Sequence, residues 1–266
     1  MQHLFQSWEF FLSDIRVSAH ILLLSDYDGT LTPIVGRPDE AILSLGVREK
    51  IRALAGKPTF SVGIISGRSL SEVKTLVGTD GVYYAGNHGL EIEGPGLKFT
   101  NSAANAAQVE VRRLARQLSA QLDNIEGVIV EDKGLSLSVH YRLVKRGEEK
   151  IVAGMFHQIT SPWLCDGKIR VTSGKKVWEI RPPIDWHKGK AVETIINEIK
   201  ALFHFKQLLT IYLGDDTTDE DAFKVIHRPR GWSIVVGKEH PLSNADYFLD
   251  STSEVEAFLA RLLELK

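Results

Sequence analysis

The stretch Ile21-Leu22-Leu23-Leu24-Ser25-Asp26-Tyr27-Asp28-Gly29-Thr30 decides how this chain is read. Its short continuous apolar run predicts a strand buried on both faces of a parallel sheet. Asp26 and Asp28 stand where that strand ends, and Gly29 lets the backbone turn away. Ligands of open parallel sheets bind outside the carboxyl ends of the strands, so the two negative charges stand where a substrate would. Taken alone, the pair also describes an ordinary turn with an Asp cap. Its meaning depends on what the rest of the chain brings to it.

The neighbouring segments repeat the strand–helix alternation. Leu4, Phe5, Trp8, Phe11, Leu12 and Ile15 recur at helical spacing, which predicts an amphipathic helix at the start. A further helix is expected after Pro38, with Ile42, Leu45, Ile51, Leu54 and Ala55 on its buried side. Residues 59–65 form a second apolar strand ending in Ser66-Gly67-Arg68, and Ser69 caps the next helix. Residues 82–85 give a third strand. The same pattern resumes after Pro182-Pro183. Residues 188–203 read as a helix, 208–213 as a strand running into Gly214-Asp215-Asp216, and 218–227 as a helix. Strands 232–236 and 247–249 follow, then a terminal helix capped by Ser253. The class is α/β, a Rossmann-like parallel sheet covered by helices.

Between these halves the pattern changes. A helix over 105–122 precedes strands 127–131 and 134–142, joined by the turn Asp132-Lys133-Gly134. Leu135, Leu137, Val139 and Tyr141 alternate with Ser136, Ser138, His140 and Arg142, which predicts an antiparallel sheet with one wet face. A helix over 147–160 and strands 168–173 and 176–181 complete an α+β block. The expected division is a core of residues 1–92 and 183–266 with a small domain inserted over 93–182.

Composition narrows the function classes. A net charge of -2 gives no bulk attraction to nucleic acid or an anionic membrane. The one cysteine, Cys165, rules out a disulfide within the chain and reads as a small, at least half-buried residue. Glu9, Asp14 and Arg16 interrupt the apolar residues that a signal peptide would need. No run approaches the ~18 apolar residues of a membrane span, so a cytoplasmic protein is expected.

Four polar clusters now stand just after a strand or at a helix start: Asp26-x-Asp28, Ser66-Gly67-Arg68, Lys188-Gly189-Lys190 and Asp215-Asp216-x-x-Asp219. A parallel sheet would bring them to one edge. Clustered carboxylates need a cation, and Mg2+ suits a few carboxylates together with water and phosphate oxygens. No Walker loop is present, and the glycine spacing does not fit a calcium-binding EF-hand. A lysine, a serine hydroxyl and a metal make a phosphate clamp. A carboxylate inside it can attack phosphorus, and a second can move protons.

These residues resemble a family. Asp26-Tyr27-Asp28-Gly29-Thr30, Ser66, Lys188 and Gly214 to Asp219 look like the four motifs of the haloacid dehalogenase superfamily, in order and spacing. Ser66-Gly67-Arg68, Gly86-Asn87-His88-Gly89-Leu90-Glu91 and the run from Gly214 to Phe223 are similar to the trehalose-6-phosphate phosphatases within it. The resemblance spans all but the extreme termini. It implies a Mg2+-dependent phosphatase of trehalose biosynthesis working through an aspartyl-phosphate, with the insert as a cap of type C2. Asp26 would be the nucleophile and Asp28 the general acid and base. Ser66 would hold a phosphate oxygen, with Gly67 and Arg68 beside it at the substrate, and Lys188 would neutralise phosphoryl charge. Asp26, the Asp28 carbonyl and Asp215 would hold the metal, with Asp216 close to it. Asp219 would orient Lys188 from behind. Asn87 and His88 would meet substrate from the core.

By the same resemblance Glu131, Lys133, Arg142, Lys176 and Glu179 read the sugar. Strand parity supports this incompletely. Arg142 lies on the polar face, whereas Glu131 and Lys133 sit at a hairpin tip, and Lys176 and Glu179 have opposite parity. Three alternatives stay open: a phosphatase of the same fold for another sugar phosphate such as sucrose 6-phosphate, a signalling domain phosphorylated on Asp26, and a non-catalytic relative. Association with a trehalose-6-phosphate synthase also stays open.

Overall fold

The structure, a computed structural model, describes residues 1–203, 207–226, 231–237 and 242–265. It divides into two compact units, Met1–Phe99 with Trp186–Lys266, and Thr100–Asp185. In chain order the strands are β1 (Gln2–His3), β2 (His20–Ser25), β3 (Phe60–Ile65), β4 (Val82–Gly86), β5 (Glu91–Gly94), β6 (Leu97–Thr100), β7 (Ile129–Asp132), β8 (Leu137–His140), β9 (Arg170–Gly174), β10 (Val177–Arg181), β11 (Leu208–Gly214), β12 (Gly231–Val236) and β13 (Tyr247–Leu249). The helices are α1 (Trp8–Val17), α2 (Leu45–Ala55), α3 (Leu70–Val77), α4 (Ser102–Leu122), α5 (Glu149–Cys165), α6 (Lys188–Phe203), α7 (Glu220–Val225) and α8 (Thr252–Leu263).

The first unit is built on one sheet, in the order β1-β13-β12-β11-β2-β3-β4-β5-β6 among the described residues. Pairing is parallel from β1 through to β4, and β5 returns antiparallel to β4. The opening apolar run is β2, held between β11 and β3. Ile21 and Leu23 point into one core with residues of α1, α2 and α8; Leu22 and Leu24 point into a second with residues of α6 and α7. Both faces are covered, which is why the strand is apolar throughout rather than alternating. Each such side chain contributes roughly 1.5–3 kcal/mol on burial. The carboxyl ends of β2, β3 and β11 therefore open on one edge of the sheet.

Several expected elements shift. The first helix starts only at Trp8; before it, Gln2 and His3 pair with β13 and Leu4–Ser7 form a 3₁₀ turn. Pro38–Glu40 is likewise a 3₁₀ turn, and α2 begins at Leu45. Val47, Ile51 and Leu54 are its buried face, while Ile42 and Leu45 are exposed. On α6, Leu202 is exposed and Val192 is buried. Strands β5 and β6, which the sequence did not announce, join the first unit's sheet. Ser251, not Ser253, caps α8, because its side chain is the one that accepts the Glu254 N–H. Cys165 is exposed at the end of α5, not half-buried. Position 227, assigned by sequence to the end of a helix, lies outside the described residues.

The second unit is a four-stranded antiparallel sheet in the order β7-β8-β10-β9, with α4 and α5 on one face. Leu137, Val139, Trp178 and Ile180 meet Leu114, Leu118, Val152 and Phe156 there. On the opposite face Glu131, Ser138, Glu179 and Thr172 stand in register across the sheet. Ser136 and Ser138 are buried rather than wet.

Candidate active site

Asp26 follows β2 directly, and its N–H donates to the Leu213 carbonyl of β11 at 2.8 Å. The chain then turns through Tyr27 and Gly29. Gly29 has a positive φ of 88°, and a Cβ there would collide with the Asp215 carboxylate. Only glycine allows the two acidic segments to approach this closely. Ser66 follows β3, is buried, and accepts the Arg68 N–H on its Oγ at 3.1 Å. Lys188 opens α6 and is also buried. Asp215 and Asp216 follow β11, and Asp219 immediately precedes α7.

These residues meet at one point. Lys188 Nζ donates to Asp26 Oδ1 at 2.6 Å and to Asp219 Oδ1 at 2.7 Å. Asp219 Oδ1 also accepts from the Tyr212 hydroxyl at 2.6 Å. Its Oδ2 accepts the N–H groups of Asp215 and Asp216 at 3.1 and 3.0 Å. Two donors at each oxygen use the carboxylate's lone pairs, so Asp219 has none to give a metal. A Cβ at Gly214 would strike the Asp219 side chain, so that close fit needs glycine too.

Burial pushes the Asp26 carboxyl well up, Lys188 opposes this, and Asp219 and Asp215 add to it. For Lys188, burial works against the charge, but Asp219 and Asp26 outweigh it and hold the ammonium above the ordinary lysine range. Tyr212 is raised by burial and then by Asp219 and Asp26, so it remains a donor. Oxygens of Asp26, Asp215 and Asp219 lie within 4.8 Å of one another. With Lys188, three carboxylates and one ammonium give a formal -3 + 1 = -2 in a buried place. A hard divalent cation with oxygen ligands fits that donor set and that charge. Asp26 and Asp215 are the carboxylates able to hold it, since Asp219 is fully engaged. Asp216 Oδ1 is tied to the N–H and hydroxyl of Thr217.

Asp28 is placed differently. Its side chain is 42% exposed, and both its oxygens accept from Arg68, at 2.7 and 2.8 Å. Arg68 also donates to Glu72 and to the Pro38 carbonyl, and its guanidinium lies 5.4 Å from the Tyr27 ring centroid. Asn87 and His88 adopt positive φ values of 51° and 56°, uncommon for such residues. The backbone explains it: Asn87 N–H reaches the Arg68 carbonyl at 2.7 Å and His88 N–H the Ser66 carbonyl at 2.9 Å. They brace the loop after β3.

The sugar-reading candidates fall in two groups. Glu131 and Glu179 share the cross-sheet row with Ser138 and Thr172. Glu131 pairs with His140 at 3.0 Å and lies 3.7 Å from Lys133; Glu179 pairs with Arg181 at 2.9 Å. Lys176 is in the turn before β10 with φ 68°, which removes the parity problem, and bonds Glu149 at 3.0 Å. Arg142 donates to the Lys175 carbonyl at 2.6 Å. Ser138 and Thr172 complete the polar row, and Arg181, two residues beyond Glu179 on β10, reaches Thr172 Oγ1 at 3.4 Å; none of the three carries a motif. The strand register, which needs the two hairpin turns placed correctly, is the signal that finds them.

Comparison with known proteins gives the family. A family model described as trehalose-phosphatase matches residues 24–253. The chain is 39% identical over 265 residues to the probable trehalose-phosphate phosphatase D of Arabidopsis thaliana, covering 96% of this chain and 70% of that one. It is 36% identical over 256 residues to trehalose-phosphate phosphatase B of the same plant, covering 92% and 67%. The C-terminal domain of the C. albicans trehalose-6-phosphate phosphatase has a similar fold, with TM-score 0.79 at 24% identity over 97% of both chains. So has a haloacid dehalogenase-like hydrolase from Bacteroides thetaiotaomicron, at TM-score 0.62 and 16% identity, covering 91% of this chain and 99% of that one. The chain belongs to the trehalose-phosphatase family, phosphoric monoester hydrolases on a haloacid dehalogenase-like fold.

Proposed function

We propose that this protein hydrolyses trehalose 6-phosphate to trehalose and phosphate through a phosphorylated Asp26. The observation that carries the reading is the buried Lys188 ammonium between Asp26 and Asp219, beside Asp215. An ammonium there meets the charge of a phosphoryl group, and a carboxylate beside it is placed to attack phosphorus. Asp26 forms a bond to phosphorus as the bond to the sugar oxygen breaks. Asp28 gives that oxygen a proton. Water then attacks phosphorus, Asp28 takes a proton from it, and the electron pair of the acyl-phosphate bond returns to Asp26. Ser66 Oγ and Lys188 hold phosphoryl oxygens through both steps. Mg2+ would be held by the carboxylates of Asp26 and Asp215 and the Asp28 carbonyl, with Asp216 close by. When bound it supplies positive charge to the transferring phosphoryl group.

The polar row Glu131, Ser138, Glu179 and Thr172 supports a substrate with many hydroxyls, since carboxylates and hydroxyls offer acceptors and donors at sugar spacing. Purified protein with Mg2+ is expected to release phosphate from trehalose 6-phosphate far faster than from sucrose 6-phosphate or glucose 6-phosphate. Equal rates across that panel would refute the substrate. Asp26→Asn is expected to keep the fold and lose turnover; retained turnover would refute the nucleophile.

A further inference from the structure

Arg68 follows the Ser66 motif, where a phosphate or substrate contact is the expected use of its charge. Its donors are already committed. Nε reaches Asp28 Oδ2, Nη2 reaches Asp28 Oδ1 and the Pro38 carbonyl, and Nη1 reaches Glu72. These contacts use four of the five N–H bonds of a guanidinium. The side chain is only 7% exposed and lies beside the Tyr27 ring. It is itself held from three sides: Glu72 on α3, the carbonyl of Pro38 and the ring of Tyr27. Asp28 is the opposite case. Its carboxylate is well exposed, and among the described residues Arg68 is its one side-chain partner. Without the fork, two freely rotating bonds would set where that carboxylate points.

The kind of partner matters as well as its position. A guanidinium is a donor only and does not give up its proton. A carboxylate that accepts two of its N–H bonds in fork geometry is presented as a proton acceptor, with each oxygen keeping a lone pair for a further donor. Of the two proton movements assigned to Asp28, the one that needs an acceptor is the second. There the water oxygen bonds to phosphorus, the phosphorus–Asp26 oxygen bond breaks, and the water proton goes to Asp28.

We propose that Arg68 is a positioning residue for the hydrolytic half of the reaction, fixing the Asp28 carboxylate to accept the proton of the attacking water. This rests on the phosphatase reading above. The test is pre-steady-state kinetics with p-nitrophenyl phosphate, whose leaving group departs without a proton and so isolates the second half. In Arg68→Ala and Arg68→Lys, the first release of p-nitrophenolate should keep its wild-type rate constant. The steady phase after it should slow by about 10–100-fold, at or below the lower end of the roughly 10²–10⁴-fold that a general base supplies, because the base is still present and only its placement is lost. Lys keeps the charge but lacks the fork, so it should not restore the steady phase; low-millimolar guanidinium should restore it in part in Arg68→Ala. Asp28→Asn should show the same pattern, and adding Arg68→Ala to it should slow the steady phase no further.

Equal slowing of both phases, a steady phase unchanged in both variants, or additive losses in the double variant would overturn the proposal while leaving the phosphatase reading intact. A wild-type protein that releases no phosphate from either p-nitrophenyl phosphate or trehalose 6-phosphate would instead overturn that reading.

Discussion

Replacing Asp219 tests the electrostatic centre of the site without touching the nucleophile. Asp219 is fully buried and accepts four hydrogen bonds: two on Oδ1 from Lys188 and Tyr212, two on Oδ2 from the N–H groups of Asp215 and Asp216. Asp219→Ala leaves a buried ammonium short of one partner and three other donors unanswered. Removing one member of a buried ion pair costs about 3–5 kcal/mol. For a unit of this size each kcal/mol is worth about 2–4 °C, so the transition of the first unit should fall by about 6–20 °C. Asp219→Asn is the sharper variant. Both edges of Asp219 face two donors, and an amide offers an acceptor on only one edge. Whichever way the amide is turned, its NH2 meets two N–H groups, or Lys188 and Tyr212. The near-isosteric change should therefore destabilise by several kcal/mol as well. Scanning calorimetry with a chelator present reads this without a bound cation masking the loss, and resolves the two units if they melt separately. Transitions within about 2 °C of wild type for both variants would refute the placement of Asp219 as the hub behind Lys188.

Two further outcomes follow from the same geometry. Mg2+ should stabilise the wild-type protein by about 2.7 kcal/mol at a hundredfold excess over the dissociation constant, read as a rise in melting temperature; Asp215→Asn should abolish both that rise and turnover. A wild-type rise in the variant would exclude Asp215 as a ligand. His20 lies at the start of β2, buried, with Nε2 at 2.9 Å from Ser61 Oγ, and burial holds its imidazole below the ordinary value of 6.5. The unfolded chain therefore takes up the proton first, so this contribution to stability is complete above about pH 6.5 and is lost as pH falls below it. His20→Gln should flatten the decline in melting temperature between pH 7 and pH 5; an unchanged slope would contradict the burial effect.

The core site was legible because its chemistry is tied to strand ends, and strand ends leave local signals. Leu22 and Leu24 face one core while Ile21 and Leu23 face the other, so the apolar run marks the strand and Asp26 marks its end. The same holds for Ile65 before Ser66 and Leu213 before Gly214-Asp215. Contacts between distant segments left no such mark. Nothing near Arg68 in sequence announces Asp28, which is forty residues away. Ile42 and Leu45 carry the right hydropathy for a helix face, but Ile42 lies between a 3₁₀ turn and the helix, and Leu45 is the exposed first residue of the helix. In the second unit one non-glycine residue at positive φ, Lys176, sets the register on which Glu179 depends, and no propensity predicts it. Cys165 is the last residue of a helix containing Pro162, where exposure depends on how that end packs.

The site also shows why a cation belongs to the reading rather than being attached to it. Lys188 favours the ionised nucleophile, but Lys188 is held by Asp219, and Asp219 raises Asp26 in turn. The residue that orients the lysine takes back part of what the lysine provides. Asp215, brought close by Gly29, raises Asp26 again. Among the protein groups, burial, Asp219 and Asp215 thus raise Asp26 and Lys188 opposes them. A divalent cation among Asp26 and Asp215 reverses the sign of Asp215's effect, because an acid that repelled the nucleophile's charge then anchors the ion that stabilises it. On the proposed mechanism Asp215 therefore opposes an ionised Asp26 in the empty site and supports it once a cation is bound.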